Sequence, residues 1–149
     1  MLTSLYHLFP RTIHPMVVHF TIAVNFLTSF VGIIGLFRRN DKMFSRGFFY
    51  LLILSILSTI AAGVAGAISE YYIAHIPGAV QPMLHDHKRD GELTGVFLVL
   101  SFVAQFFFGK RTAKVSVIAF VLCVISTVLV SVAGHLGGSM VYNSGLGVH

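Results

Sequence analysis

Histidine is the residue of this sequence whose chemistry suggests a function. There are eight histidines among 149 residues. Neutral imidazole is the commonest side-chain ligand of transition metals and a usual axial ligand of haem iron. The stretch HPMVVHF at 14–20 places two imidazoles at the start of a long apolar run. Ionisable groups at membrane depth are costly and usually functional, so the histidines are the candidate site. They are His7, His14, His19, His75, His85, His87, His135 and His149.

Four apolar segments must position these side chains. The chain is 56% hydrophobic and only 10% charged, and its mean hydropathy is +0.86. A helix needs about 20 residues to cross about 30 Å of hydrocarbon. The sequence predicts membrane-spanning helices at about 14–37, 47–72, 84–109 and 113–136. The predicted fold is therefore an all-α integral membrane four-helix bundle in a single domain.

Basic residues predict the orientation of this bundle. The segments FRRNDKMFSR at 37–46 and GKRTAK at 109–114 hold seven of the ten Lys and Arg residues. Short loops rich in Lys and Arg face the cytoplasm. Both termini are then expected on the periplasmic side of a bacterial inner membrane. Topology accounts for the basic charge, and no basic groove with interleaved aromatics indicates a nucleic-acid partner.

Short connections predict two antiparallel hairpins, and the hairpins resemble each other. A shift of 68 residues lays LSTIAAGVAG at 57–66 over ISTVLVSVAG at 125–134, and His19 over His87. This match predicts a pseudo-two-fold axis along the membrane normal. One pair of positions does not fit this alignment: the same shift lays the charged Lys88 over the apolar Phe20.

Four histidines are predicted at similar depth. Counted from the basic residues at the inner helix ends, His19 and His135 lie roughly 28 and 31 Å out, at ~1.5 Å per residue. His14 and His87 lie roughly 36 and 35 Å out by the same rise. The four therefore share a slab about 8 Å thick at the outer boundary. Side chains at one height on facing helices build the cofactor sites of four-helix bundles.

A haem of b type held by two histidines fits this slab. It needs no covalent motif, so the absence of CxxCH excludes only c-type attachment. His19 and His87 are the preferred axial pair because the internal repeat places them across the pseudo-axis. His14 with His135 forms a second site or supports the first, giving one or two haems. Small residues that would let a porphyrin approach the backbone are Gly63, Gly66, Gly134, Gly137 and Gly138.

His14 and His19 are not expected to share one iron. Five residues at ~100° each turn the second ring by about 140° from the first and sink it ~7.5 Å. The sequence predicts His14 in an interfacial layer and His19 in the bundle interior.

Two other functions stay open from the residues alone. Carboxylates at Glu70, Asp86, Asp90 and Glu92 share the outer side, so a non-haem site for zinc, copper or iron is the second hypothesis. A structural subunit with interfacial histidines is the third. No nucleotide-binding loop and no serine-hydrolase motif is present, which favours an electron-transfer subunit over a stand-alone enzyme.

Three stretches resemble a bacterial family of predicted four-helix membrane proteins of unknown function. They are IHPMVVHFTIA at 13–23, His87 at the head of the third helix, and GHLGGSMVYNSGLGV at 134–148. The resemblance implies that relatives carry histidines at the positions of His14, His19 and His87, whereas the position of His135 varies among them. Relatives often have Pro-Ile after His-Phe, where this chain has Thr21 and Ile22.

The resemblance also implies a function. Members of that family travel with Rieske iron–sulfur or c-type cytochrome modules, which implies electron transfer and a haem held by histidines. The expected partners are a periplasmic cytochrome or iron–sulfur protein on one side. On the other side we expect quinone or a larger respiratory or photosynthetic complex, of which the chain is a subunit, or a homo-oligomer.

Overall fold

Four long helices form the part of the chain that the structure describes. A computed structural model describes residues 13–73, 76–109 and 113–146. The helices are α1 (Ile13–Phe37), α2 (Lys42–Tyr71), α3 (Gln81–Ala104) and α4 (Val117–Tyr142). Each is long and apolar enough to cross a membrane, and no strand occurs in the described ranges. The predicted all-α membrane bundle is confirmed. His7, His75 and His149 lie outside the described residues.

Polar caps set where α2 and α4 begin. Asp41 accepts a hydrogen bond from the Met43 N–H at 2.9 Å, so α2 starts five residues before the predicted position. Ser116 caps α4, which starts four residues later than predicted. The helix then continues through the glycines at 134–138 to Tyr142. In hydrocarbon the backbone N–H and C=O groups must be hydrogen-bonded within the helix, so these glycines do not end α4.

Gln105 organises the connection between α3 and α4. After Ala104 the chain makes a π-helical turn, Gln105–Gly109. The buried Gln105 amide donates to the Lys114 carbonyl at 3.0 Å, and its oxygen accepts from the Ser116 N–H at 2.8 Å. The amide packs directly against Gly109, where a side chain would find no room.

The helices pair as two antiparallel hairpins. The most extensive contacts are α1 with α2 and α3 with α4, while α1 also packs on α4 and α2 on α3. We call the end with the 38–41 and 110–116 connections the loop end, and the opposite end the histidine end. An apolar cluster that includes Phe48, Leu52 and Leu98 fills the half near the loop end. Most large apolar side chains elsewhere face outward, as expected in lipid.

Hydrogen bonds join the hairpins in the middle of the bundle. Asn25 is fully buried and accepts from the Ser126 hydroxyl at 3.2 Å, and Ser29 lies 2.8 Å from Thr127. Thr28 lies 2.8 Å from Ser55 within the first hairpin. No buried side-chain N or O atom of the described residues lacks a partner. Such bonds hold membrane helices together because lipid supplies no hydrophobic drive between them.

The hairpins repeat each other, but not in the predicted register. Their first helices correspond at a shift of 73 residues and their second helices at 71. The predicted shift of 68 is wrong, because small and apolar residues recur on every helical turn and a match displaced by about one turn scores as well. Equivalent buried residues are Thr21, Asn25 and Thr28 with Thr94, Leu98 and Ser101, and Phe48, Leu52, Ser55 and Ala62 with Ala119, Cys123, Ser126 and Ala133.

Candidate functional site

Two histidines from different hairpins meet at the histidine end. His14 lies in the first turn of α1 and His87 in the second turn of α3. Their ring centroids are 5.8 Å apart and their planes are nearly perpendicular, at 89°. The two positions are equivalent in the 73-residue register. The pair, which we call the histidine pair, therefore lies across the pseudo-two-fold axis.

Each imidazole of the histidine pair is fixed by a backbone carbonyl of its own hairpin. Nδ1 of His14 donates to the Ala62 carbonyl at 3.0 Å, and Nδ1 of His87 donates to the Ala133 carbonyl at 2.8 Å. A carbonyl oxygen can only accept, so the proton is on Nδ1 and the lone pair of the neutral ring is on Nε2. Neither Nε2 bonds to a described residue. Two lone pairs are thus available to a ligand.

A glycine lies under each ring, one helical turn after the acceptor carbonyl. A Cβ placed on Gly66 would lie 3.2 Å from Cε1 of His14. A Cβ on Gly137 would lie 3.3 Å from Cε1 of His87. Both distances are tighter than ordinary van der Waals contact. The bare backbone of α2 and α4 therefore lets each imidazole lie flat enough to reach its carbonyl.

The other three glycines that are predicted porphyrin contacts do not lie under a histidine ring. Gly134 packs against α1, where a Cβ would lie 3.0 Å from Cδ1 of Ile22. A Cβ added to Gly63 or Gly138 would have no atom of the described residues within 4 Å. Gly134 therefore serves helix packing, whereas Gly66 contacts a histidine.

His19 lies on the outside of the bundle. Its side chain is exposed, and its Nδ1 donates to the Pro15 carbonyl of the same helix. The predicted place of His19 in the bundle interior is wrong, and the structure does not bring it to His87. The buried face of α1 carries Thr21 and Thr28, seven and fourteen residues after His14, so the rotation of about 140° directs His19 away from it.

His135 is also apart from the histidine pair. It is exposed on α4, two residues after Ala133. Its side chain lines a groove between α1 and α4. Its predicted association with His14 is not seen, since His14 contacts His87 instead.

Three of the four carboxylates of this end are paired with Lys or Arg. Glu70 of α2 pairs with Lys88 of α3 at 2.7 Å. Arg89 contacts Asp86 and the buried Asp90, both at 2.9 Å. Among residues 13–73, 76–109 and 113–146, no group of three or more His, Cys, Asp or Glu side chains is arranged to hold a metal ion.

The sequence contains a signal for this site that the 68-residue alignment concealed. HPMVVHFT at 14–21 and HKRDGELT at 87–94 share a histidine and a threonine seven residues apart. AGVAG at 62–66 and AGHLG at 133–137 share the acceptor alanine and the glycine under the ring. Together they encode one histidine, its carbonyl and its glycine in each hairpin.

Comparison with known proteins now adds the family. A family model described as a predicted membrane protein, DUF2231, matches residues 10–149. The chain belongs to this family. The match spans every residue of the histidine pair and its supports, and it confirms the resemblance to four-helix membrane proteins of unknown function. No curated protein and no solved structure shows a significant match to this DUF2231 chain.

Proposed function

We propose that this DUF2231 protein is a membrane-bound electron-transfer protein in which His14 and His87 hold one haem b as axial ligands. The observation that carries the proposal is the contact between the two imidazoles, each with its Nδ1 bonded to a carbonyl. Metal-ligating histidines almost always donate their other ring N–H in this way, which fixes the tautomer and the ring orientation. The haem supplies one-electron chemistry when bound.

The separation of the two rings would let both bind one metal after a small movement. A metal–imidazole bond is about 2.0–2.1 Å long and each ring nitrogen lies about 1.1 Å from its ring centre, so two rings that bind one metal from opposite sides would have centroids a little over about 6 Å apart. The observed centroid distance is 5.8 Å, so the rings would move apart by about half an ångström. Coordination through both Nε2 atoms would leave the two carbonyl bonds intact.

The number of ligands favours haem over a bare ion. Zinc sites in proteins use three or four side-chain ligands. Haem iron already has the porphyrin nitrogens and needs only two more. The described residues offer two imidazoles and no third metal-binding side chain grouped with them, and this supports the haem proposal.

The position of the histidine pair supports exchange with a partner at one surface. The pair lies at the end of the bundle opposite the loop end, whose connections are rich in Lys and Arg. By the positive-inside rule the histidine end faces the periplasm of a bacterial inner membrane. A periplasmic cytochrome or iron–sulfur protein is the proposed donor, and quinone or a larger membrane complex the proposed acceptor.

The test is the absorption spectrum of the protein purified in detergent. We expect a Soret band, a pyridine haemochrome of b type, and one haem per chain. His14→Ala and His87→Ala should each abolish the native spectrum, because each removes one axial ligand. His19→Ala is the matched control in the same helix and should leave the spectrum unchanged.

Three results would contradict the proposal. Unchanged spectra in both His14→Ala and His87→Ala would reject the pairing. Colourless protein with stoichiometric zinc or copper would make the histidine pair a bare metal site. Protein that stays colourless and metal-free after expression with added haem precursor would indicate a structural role.

A further inference from the structure

A groove between α1 and α4 differs from the rest of the lipid-facing surface. Its lining is shallow and belongs mainly to α4, with Phe26 from α1. Phe26 is 52% exposed and offers an aromatic face. The groove is otherwise aliphatic apart from two hydroxyls and one imidazole. The lining residues are Phe26, Thr127, Val128, Ser131, Val132 and His135.

His135 is the chemically active group of this groove. It makes no hydrogen bond or ion pair with any residue in the described ranges. It lies seven residues before the end of α4 at Tyr142, about 10 Å along the helix. At the outer boundary of the bundle, with no hydrogen-bond or ion-pair partner among the described residues, its imidazole is available to a ligand. One turn deeper, Ser131 donates to the Thr127 carbonyl at 2.7 Å and keeps its oxygen as an acceptor.

The pseudo-two-fold repeat supplies an internal comparison. A second groove occupies the equivalent place between α2 and α3. There the equivalents of Thr127 and Ser131 are Ile56 and Ile60. Val99 is the equivalent of Phe26, and the exposed Val64 is the equivalent of His135. The second groove is lined by one hydroxyl residue, Thr59, and by no imidazole or aromatic ring of the described residues. The histidine pair is shared by both hairpins, whereas the imidazole and the aromatic ring of the groove belong to the α1–α4 side.

The chemistry of the lining selects a neutral ligand. Among the residues that the structure describes, no Lys or Arg lines the groove, so the phosphate of a phospholipid would find no counter-charge from them. One imidazole can donate a hydrogen bond to a carbonyl. The flat Phe26 face suits a ring, and the valines suit a hydrocarbon tail. A lipid-soluble molecule with a flat carbonyl-bearing head combines these features.

We infer that the groove between α1 and α4 binds an isoprenoid quinone, whose head carbonyl accepts a hydrogen bond from His135. Its ring lies against Phe26 and its tail follows the valines toward the membrane interior. Ser131 can accept a hydrogen bond from the hydroxyl of the reduced form. The redox role of this quinone rests on the proposed function, but its binding does not.

The connection to the histidine pair is short along α4. His135 follows Ala133, whose carbonyl fixes His87, and Gly134 between them packs on Ile22 of α1. The two sites are thus built on adjacent residues of one helix that face different directions.

The experiment is photolabelling of the purified protein in lipid nanodiscs with an azido-quinone. Decylubiquinone and a short-chain menaquinone serve as competitors. We expect the label to map to the α1–α4 groove and to be displaced by at least one of the two quinones. His135→Leu should weaken binding about tenfold or more through loss of the hydrogen bond. Val64→Leu, at the position of α2 that is equivalent to His135, is the matched control and should leave binding unchanged.

The outcomes separate this inference from the haem proposal. His14→Ala, which lacks one proposed axial ligand, should still bind the quinone. Equal labelling of both grooves, no effect of His135→Leu, or displacement only by an anionic phospholipid would overturn the quinone site. A bound quinone in colourless protein would keep it while rejecting the haem.

Discussion

For single side chains, the bond from each histidine to a backbone carbonyl determines what the ring can do. The Ala62 and Ala133 carbonyls hold the proton on Nδ1 of His14 and His87. This leaves the lone pair of each neutral ring on Nε2, the atom that we propose as the haem ligand. His19 has its carbonyl acceptor on its own helix, so the same local chemistry directs it away from the bundle. The hydrogen-bond partner, and not the residue type, distinguishes the site histidine from the surface histidine.

The glycines under the rings give a residue-scale prediction. Gly66→Ala and Gly137→Ala should displace their imidazoles by a few tenths of an ångström, because the new Cβ would lie within 3.2–3.3 Å of Cε1. We expect a changed haem midpoint potential in a redox titration and a stability loss of about 1 kcal/mol. Gly63→Ala and Gly138→Ala, with open space around the added methyl, should leave the potential unchanged. Identical potentials in all four variants would argue against ring positioning by Gly66 and Gly137.

For the helices, a seven-residue spacing defines the face that carries the site. His14, Thr21 and Thr28 follow one another at this spacing in α1, as His87, Thr94 and Ser101 do in α3. Seven residues are about two helical turns, so each set lies on one face, and the hydroxyl residues of both sets are buried. Close packing at the loop end then holds the helices at the rotation that aims the histidines inward.

Gly35 gives a prediction at this scale. A Cβ there would lie 2.5 Å from Cγ2 of Val115 and 3.2 Å from Cβ of Phe44. Gly35→Ala should therefore destabilise the bundle by about 1–3 kcal/mol through overpacking. The measurement is thermal unfolding in detergent. Gly91→Ala is the control, because that α3 glycine has no atom within 4 Å of an added Cβ; equal loss in both variants would contradict the packing argument.

For the whole molecule, the two-hairpin arrangement places both termini of the described chain at the histidine end. α1 begins there and α4 ends there, while both short connections lie at the loop end. The asymmetry of basic residues between these ends predicts the orientation.

Cysteine labelling tests that orientation. In a Cys123→Ala background, Ser144→Cys should react with a membrane-impermeant maleimide in spheroplasts, because it follows α4 at the histidine end. Asn40→Cys, in the connection between α1 and α2, should react only after the membrane is opened. The reverse pattern would place the histidine pair on the cytoplasmic side.

The sequence by itself determined the class of the fold and the level of the site. Length and hydropathy predict four spanning helices for two reasons. Backbone N–H and C=O groups in the hydrocarbon core must be hydrogen-bonded within the segment, and a helix needs a minimum length to cross the core. The fixed rise of ~1.5 Å per residue predicts which histidines share a level. Both kinds of inference use properties of one segment at a time, so they need no knowledge of the neighbouring helices.

Only the tertiary structure decided which histidines meet. Each residue turns the helix by ~100°, so a repeat register in error by three to five residues directs a different face inward. That rotation is set by contacts between helices, such as Gly134 against Ile22 and Thr21 against the Ser58 carbonyl. The sequence therefore favoured His19 with His87, whereas packing brings His14 to His87 and leaves His19 and His135 outside.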